Sequence, residues 1–459
     1  MTPSRSVFAR SRTALAAAVC SALLTACGGG GSDPGVPLTC SATDQKLWLE
    51  SYLDDWYFWY RVSPRPSTGS YGSVADYFAA RLYTGSDPDF PAADRWSHST
   101  PTTEYQRFYG EGRTLGFGVM VAGLEVKGHP EWPLYVRYIE PGSPAATAGL
   151  VRGDEVLLVN GRSVADLITA DDFSAFSANA TGDLLTLRVR GLDNQVRDVT
   201  VSAAVYALVP VTNASTVRSV GGRLVGYVAV KDMVSQAESP FDTAFAQFRS
   251  AGVQDVVIDL RYNGGGLVSA ARTLASYPSA GSTAGQVYTR LLYNDRQAGR
   301  NEEIAFRNPS AALGLSRVYV LTGQRTCSAS EQLINALRPY VQVVTVGDTT
   351  CGKPVGFLPQ DDGCGNTWSV VNFESVNALN QGRYFDGFEA TCAVAEDYAQ
   401  PLGSTAEPLL ATALWHADTG SCGAVQAARS GRAKALALRP LTERSHRLEP
   451  GDRQGMVLR

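Results

Sequence analysis

The chain has 459 residues, 44% of them hydrophobic, and carries a formal net charge of −4 at pH 7. This length and apolar content are ample for two or three packed domains. The slight acidic balance gives no reason to expect nucleic-acid binding, and no repeat at a solenoid period occurs. The composition therefore predicts a multidomain protein that has no nucleic-acid partner.

Residues 1–27 have the pattern of a secretory signal. An apolar run from Ala14 to Leu24 follows three arginines and is too short to span a bilayer. The run ends in Leu-Thr-Ala-Cys, which resembles a bacterial lipobox and implies that Cys27 is lipidated. Glycine, not aspartate, follows this cysteine, which favours the outer membrane; the alternative is a plain secreted protein cleaved nearby. We expect a lipid-anchored protein of the bacterial cell envelope, periplasmic or surface facing, with a flexible tether over residues 28–39.

Residues 40–108 are predicted to form a small N-terminal helical domain. Apolar side chains recur at helical spacing between residues 43 and 61, and Ser73 can cap a second helix that ends near residue 82. The aromatic run 56–60 could be taken for a ligand platform. Because amphipathic stripes usually pack inward, we expect these rings to lie against the rest of the protein.

Residues 109–205 are predicted to form a β-rich domain. Its first strand region contains Leu115, Gly116, Phe117 and Gly118, and the later pattern is Pro-Gly-Ser-Pro-Ala-x-x-Ala-Gly-Leu followed by Gly-Asp. This ordered set resembles a PDZ domain; ordinary turns in a small β domain are the alternative. The resemblance implies that the amides of the Leu-Gly-Phe-Gly loop bind a peptide carboxylate and that the peptide adds as a strand to the sheet edge.

Residues 206–422 contain three segments whose residues could take part in catalysis. The first is Asp-Leu-Arg-Tyr-Asn-Gly-Gly-Gly at 259–266. It follows a buried-strand pattern and precedes an alanine-rich helix. Three glycines let the backbone approach a ligand closely and point N–H groups at an anion. No Gly-Lys-Ser/Thr and no Gly-x-Gly-x-x-Gly occurs here, so a nucleotide site is disfavoured and an oxyanion hole for acyl transfer suits the loop better.

The other two segments contain Ser328 and Lys353. Each follows a β-rich run, 317–321 and 341–346 respectively. Because parallel strands of an α/β sheet end at the same edge, we expect the hydroxyl and the amine to meet there, where neutral lysine could remove the serine proton. Arginine could not replace lysine as a base, because it stays charged. The alternative is that Ser328-x-x-Glu331 is a helix capping box and nothing more.

In this order the three motifs resemble those of the C-terminal processing (tail-specific) serine peptidase family, over roughly residues 40–415. The resemblance implies an α/β protease core with a parallel or mixed sheet, an inserted or preceding PDZ-like domain and a small N-terminal helical domain. It implies Ser328 as nucleophile, Lys353 as general base, and amides of Ala329, Gly264 and Gly265 as the oxyanion hole. It also implies protein or peptide substrates with a free C-terminus. We expect no cofactor.

One position departs from the family pattern. Members often carry a glutamine four residues after the lysine, where it orients the catalytic pair, and this chain has Phe357. Two function classes therefore remain: an endopeptidase in which another group positions the amine, and a catalytically eroded peptide-binding protein of the same fold. An esterase is disfavoured because no Gly-x-Ser-x-Gly elbow occurs. A Ser–His–Asp triad would have to use His98, and the Ser–Lys pair is preferred.

Six cysteines remain beyond the predicted signal, which in an oxidising compartment predicts disulfides. All fifteen complete pairings are open. A zinc site is disfavoured because no Cys-x-x-Cys pair occurs, and we expect no metal. A bridge involving Cys327 or Cys351 would hold the candidate site in shape. The six are Cys40, Cys327, Cys351, Cys364, Cys392 and Cys422.

Residues 423–459 form the end of the chain. They are rich in arginine and weakly patterned. We expect this tail to be loosely ordered and assign it no function.

Overall fold

The computed structural model describes residues 35–423 and 455–458. The predicted signal, Cys27 and residues 28–34 of the tether lie outside the described residues, as does most of the predicted tail. Among the helices of the described ranges, none combines the length and apolar character that a bilayer crossing requires.

The N-terminal region folds as a small helical unit with one strand. Ser41 caps the first helix by accepting a hydrogen bond from the Asp44 amide at 3.2 Å, and Ser73 caps the second, as predicted. The elements are α1 (Ala42–Trp56), α2 (Val74–Arg81), β1 (His98–Pro101) and α3 (Thr102–Tyr105), followed by a π-helical turn over Gln106–Gly110.

Helix α1 ends at Trp56, earlier than the predicted residue 61. The chain turns there because the next aromatic side chains pack inward, and the hydroxyl of buried Tyr57 donates to Asp94 at 2.7 Å. Trp59 stacks with both Tyr83 and Trp96. The aromatic run is therefore a core-packing surface, as expected.

The second region is a β-rich domain with its own apolar core. Its six-stranded sheet has the order β3-β4-β5-β7-β8, with β6 paired to β5 outside this order, and alternate residues of β7 are buried, as a half-covered strand requires. Strand β2 pairs with β9, so the domain closes just beyond the predicted boundary at residue 205. The strands are β2 (Arg113–Gly116), β3 (Val119–Val121), β4 (Leu134–Ile139), β5 (Glu155–Val159), β6 (Arg162–Ser163), β7 (Leu184–Arg190), β8 (Val196–Ser202) and β9 (Ala204–Ala207), and the helices are α4 (Gly123–Val126), α5 (Pro144–Thr147) and α6 (Val164–Ala170).

The third region is an α/β core whose elements follow the predicted alternation of strands and helices. Its strands are β10 (Val211–Arg218), β11 (Leu224–Val230), β12 (Asp255–Asp259), β13 (Gly265–Leu267), β14 (Val287–Tyr293), β15 (Glu302–Ala305), β16 (Arg317–Thr322), β17 (Gln342–Gly347), β18 (Val355–Phe357), β19 (Gln360–Asp361), β20 (Asn366–Ser369), β21 (Val371–Val376), β22 (Cys392–Ala393) and β23 (Gly455–Val457). Its helices are α7 (Glu238–Ala251), α8 (Val268–Thr283), α9 (Ala329–Leu337) and α10 (Pro408–Thr419).

One six-stranded sheet has the order β10-β11-β12-β16-β17-β22, parallel except for β10. Alternate residues of β12 face opposite layers: Val256 and Ile258 pack with α7, α8 and α9, and Val257 packs with α10. Helices on both faces fit a parallel sheet, which must be buried on each side. The carboxyl ends of β12, β16 and β17 therefore lie at one edge, as predicted.

A second six-stranded sheet has the order β13-β23-β18-β21-β14-β15, and a small sheet joins β1, β20 and β19. Strand β23 corrects the expectation of a loosely ordered tail, because residues 455–457 pair on both sides with strands of the core. Its sequence is too short to carry a strand signal, and the pairing partners are far away in the chain.

Within the part of the chain that the structure describes, three disulfides join Cys40 to Cys364, Cys327 to Cys351 and Cys392 to Cys422, with Cα–Cα distances of 5.4, 5.1 and 5.4 Å. The first ties the start of the helical unit to the β19–β20 hairpin. The second involves both cysteines that the sequence placed near the candidate site. The prediction of disulfides is confirmed.

Candidate active site

Ser328 lies between strand β16 and helix α9, at the N-cap position of the helix. Its φ is 61° and its ψ is −114°, a strained conformation for a residue with a side chain. The nucleophilic serine of α/β-hydrolases lies on a similarly strained strand-to-helix turn. The Ser328 Oγ is buried and has no hydrogen-bond partner among the described residues, so the capping box at this helix start depends on the Glu331 carboxylate, which accepts the Ser328 amide at 2.9 Å.

The neighbouring Ser330 is held differently. Its Oγ donates to the side-chain oxygen of Asn263 at 2.9 Å and lies 3.1 Å from the Asn263 carbonyl. These bonds join helix α9 to the glycine-rich loop. Of the two serines in the Ser-Ala-Ser-Glu motif, Ser328 therefore has the uncommitted hydroxyl.

Glu331 joins the Ser328 segment to the Lys353 segment. One carboxylate oxygen accepts the amides of Ser328 at 2.9 Å and Lys353 at 2.8 Å. The other accepts the Gly352 amide at 2.7 Å and the Thr350 hydroxyl at 2.6 Å. Burial raises the pKa of Glu331, and these four donors act to lower it. The sequence identified Glu331 only as a possible capping partner.

The Cys327–Cys351 disulfide reinforces the same junction. Cys327 immediately precedes Ser328, and Cys351 lies two positions before Lys353. The two sulfurs lie beside the Glu331 carboxylate, in a group that resembles a metal-binding cluster. Because the sulfurs are bonded to each other, they do not offer the two thiolates that a zinc site would need.

Lys353 is fully buried, and its Nζ lies 3.9 Å from the centroid of the Phe357 ring. Burial lowers the pKa of Lys353 to about 7, with Arg95 acting in the same direction and the carboxylates of Asp94 and Glu331 opposing. A substantial fraction of the amine is therefore neutral near pH 7. Phe357, which replaces the family's glutamine, itself contacts the amine.

His98 packs against the same Phe357 ring, with a centroid distance of 5.6 Å. Its Nδ1 lies 2.8 Å from the Trp96 carbonyl. The nearby Asp94 carboxylate accepts the Tyr57 hydroxyl and the amides of Trp96 and Ser97. These contacts give Asp94 a role other than the orientation of a histidine, which a Ser–His–Asp triad would require.

The glycine-rich loop lies directly against the start of helix α9. A Cβ on Gly265 would lie 2.8 Å from the Ala329 nitrogen and 2.9 Å from the Cys327 carbonyl oxygen, and its φ is +99°. Only glycine fits this position. The Ala329 amide, in the first turn of α9, has no intrahelical acceptor. The Gly265 amide donates to Asn263 at 2.8 Å, so it is directed into the loop and not at an approaching ligand.

A network of buried charged side chains holds the start of the glycine-rich segment 259–266 in place. Arg261 forms two parallel bonds to Glu407, at 2.8 and 2.9 Å, and its Nε donates to Asp259 at 2.9 Å. Tyr227 donates to the same aspartate at 2.7 Å. Bidentate pairing of this kind restricts orientation as well as position. The Asp-Leu-Arg part of the motif therefore supports the site structurally, a role that the sequence did not reveal.

The predicted peptide-binding segment Leu115–Gly118 begins in strand β2, where Leu115 and Gly116 pair with β9, and only Phe117 and Gly118 lie between β2 and β3. Phe117 is buried, and its carbonyl accepts the Ala145 amide at 2.9 Å. Gly118 has a φ of +79°, and a Cβ there would lie 2.1 Å from the Ser143 Cβ. Among the described strands, β3 pairs only with β4, so it is a sheet edge to which a further strand could add.

Family models match three parts of the chain: Peptidase family S41 over residues 224–369, PDZ domain over 135–191 and Peptidase S41 N-terminal domain over 44–98. The first match contains the glycine-rich loop, Ser328 and Lys353. The second lies within the β-rich domain and begins after the Leu115–Gly118 loop.

Among curated proteins, carboxyl-terminal-processing peptidase 3, chloroplastic, of Arabidopsis thaliana is 28% identical over 260 residues, 54% of this chain and 48% of that protein. A carboxyl-terminal-processing protease of Picosynechococcus sp. is 29% identical over 257 residues, 55% of this chain and 59% of that protein. The chain thus matches about half the length of these relatives. The crystal structure of a putative S41 protease from Bacteroides fragilis superposes with a TM-score of 0.65 at 26% identity, covering 82% of this chain and 97% of that one.

Proposed function

Because the chain belongs to peptidase family S41, we propose that it is a serine endopeptidase with Ser328 as nucleophile and Lys353 as general base. One observation carries the proposal. The Ser328 hydroxyl is buried and has no hydrogen-bond partner among the described residues. Glu331 and the Cys327–Cys351 disulfide join its segment to the segment that contains Lys353, whose pKa is about 7. Acyl transfer requires a nucleophile and a general base whose pKa lies near the working pH.

In the proposed reaction the neutral Lys353 amine accepts the Ser328 proton while Oγ attacks the scissile carbonyl carbon. The Ala329 amide, with the amide of Gly264 or Gly266, stabilises the negative charge that develops on the carbonyl oxygen. The partial positive charge at the N-terminus of α9 acts in the same sense. Protonated Lys353 then gives its proton to the departing amine, and water hydrolyses the acyl-enzyme with the lysine again as base.

The alternative is a catalytically eroded protein that binds peptides, which the Phe357 departure permits. Incubation of the purified chain with an unfolded protein distinguishes the two functions. An endopeptidase yields fragments with internal cleavage sites by mass spectrometry. An eroded protein retains the unfolded chain intact, and this result would contradict the proposed activity.

We also propose that the β-rich domain binds the free C-terminus of the substrate at the Leu115–Gly118 loop. The PDZ match and the edge position of β3 support this assignment. Amidation of a model substrate's C-terminus removes the charge that the loop amides would bind, and a charge-assisted hydrogen bond contributes about 1.5–3 kcal/mol. We expect KM to rise about tenfold or more with kcat little changed. Equal kinetics for the free and amidated peptides would place recognition elsewhere.

The proposed location is the bacterial cell envelope, with Cys27 as the lipid attachment site. The support is the Leu-Thr-Ala-Cys sequence at the end of the apolar run. Expression in a bacterial host should place the wild-type chain in the detergent phase of a phase-separation assay and the Cys27→Ser variant in the aqueous phase. Identical partitioning of the two chains would contradict lipidation at this cysteine.

A further inference from the structure

Strand β23 lies between the two strands that border the candidate active site. On one side Gly455 donates to the Gly264 carbonyl at 3.0 Å and continues as a parallel partner of β13. On the other side Leu458 donates to the Phe357 carbonyl at 3.0 Å, and Val457 pairs with Phe357 of β18. Residues 455–458 therefore fill a channel between the oxyanion loop and the strand that follows Lys353.

The side chains of this segment are enclosed as well as its backbone. Met456 and Val457 are buried, and the Met456 sulfur accepts a hydrogen bond from Gln332 of α9 at 3.5 Å. A Cβ on Gly455 would lie 2.7 Å from the Tyr109 hydroxyl and 3.4 Å from the Gly266 Cα. The channel thus accepts a small residue followed by two apolar ones.

The carbonyl of Gly455 also lies beside the candidate oxyanion donor. A Cβ built on Gly265 would lie 2.2 Å from the Gly455 oxygen and 2.8 Å from the Ala329 nitrogen, so both atoms border the same point of the loop. A substrate must present a carbonyl to that amide for the proposed chemistry. The segment 455–458 places the Gly455 carbonyl near the Ala329 amide, and its main chain pairs with β13 on one side and β18 on the other.

We propose that the channel between β13 and β18 is the binding site for the substrate main chain and that residues 455–458 occupy it as an intramolecular ligand. The inference rests on the proposed function for the identity of the competing ligand. Main-chain pairing recognises an extended peptide largely without regard to sequence, and the enclosed positions select small and apolar side chains. A tethered occupant has a high effective concentration, so it competes strongly with added substrate.

The test compares the full chain with a variant that lacks residues 455–459, each carrying Ser328→Ala so that binding is measured without cleavage. The probe is a fluorescent peptide with the sequence Gly-Met-Val-Leu. It should bind the shortened variant at least tenfold more tightly than the full chain. The matched control peptide, with valine in place of the glycine, should bind at least tenfold more weakly, because its side chain would meet the Tyr109 hydroxyl.

A second variant covers the case in which the shortened chain does not fold, as judged by thermal denaturation. Gly455→Val in the full chain should displace the segment for the same steric reason and raise probe affinity by a similar factor. Equal probe affinity in the full chain and in a folded, opened variant would overturn the inference, as would equal binding of the two peptides.

With Ser328 intact, the opened variant should show a kcat/KM about tenfold higher on an unrelated peptide, and the probe should reverse the gain. If the full chain cleaves the peptide, an unchanged or lower kcat/KM in a folded, opened variant would also contradict the inference. Specific probe binding without any proteolysis would support the inference that residues 455–458 occupy the channel and would contradict the proposed function. Proteolysis that is changed neither by opening the channel nor by the probe would support the proposed function and contradict the inference.

Discussion

Ser328→Ala is expected to lower kcat/KM by on the order of 10⁴-fold or more, because removal of a serine nucleophile disables the whole catalytic unit. The fold should be unaffected. The Ser328 Oγ is buried without a partner, so its removal relieves a desolvation cost instead of breaking a bond. We expect the free energy of unfolding to stay within about 1 kcal/mol of wild type or to rise, in contrast to the loss of about 0.5–2 kcal/mol that a true N-cap would show.

Ser330→Ala is the matched control. Its hydroxyl bonds to Asn263, so the variant should lose stability, by about 1–3 kcal/mol, while keeping most of its activity. Chemical denaturation and peptide hydrolysis measure both quantities for both variants. An inactive Ser330→Ala together with an active Ser328→Ala would show that the wrong serine has been assigned.

Lys353→Arg is the second change with a large expected effect. A lysine of ordinary pKa leaves about 1 amine in 2,500 neutral at pH 7, whereas a pKa of about 7 leaves roughly half. Below that pH the amine is protonated and cannot accept the Ser328 proton. The wild-type kcat/KM should therefore rise with pH through about 7 and level off above it, while the arginine variant stays inactive at every pH because guanidinium remains charged.

Two controls separate the loss of the base from damage to the fold. Lys127→Arg changes a partly exposed lysine in the β-rich domain and should leave the pH profile unchanged. Lys353→Met keeps an unbranched, uncharged chain at the buried position and should be folded but inactive. Substantial activity in Lys353→Arg would rule out lysine as the base, and the effect of His98→Ala would then decide whether histidine takes that role.

The sequence predicted the parts of the site that depend on local pattern. Runs of β-branched residues located β12, β16 and β17, and the common edge of a parallel sheet then placed the glycine-rich loop and Ser328 near Lys353. The cysteine count and the export signal predicted disulfides, but not their pairing, because any two cysteines can meet once the chain is folded.

Other features depend on tertiary contacts and had no local signal. Glu331 fits a capping box in sequence, yet three of its four partners come from residues 350–353. The positive φ of Ser328 occurs where the residues on either side of it lie against Gly265 and where the preceding residue, Cys327, is tied to Cys351, and both contacts are distant in sequence. Strand β23 has only three residues, and its partners in register lie 190 residues earlier (Gly455 with Gly265) and 100 residues earlier (Val457 with Phe357). No local sequence pattern therefore predicts this strand.

The most direct test of the Ser328–Lys353 pair is covalent labelling by a serine-directed β-lactone, followed by mass mapping of the modified peptide. The reaction is measured at pH values on both sides of 7, in the full chain and in the variant lacking residues 455–459, so that an occupied channel does not mask it. We predict a single acyl group on Ser328, with a rate that rises through about pH 7 and is abolished by Lys353→Arg. Modification of another residue, or an equal rate in the arginine variant, would contradict the account.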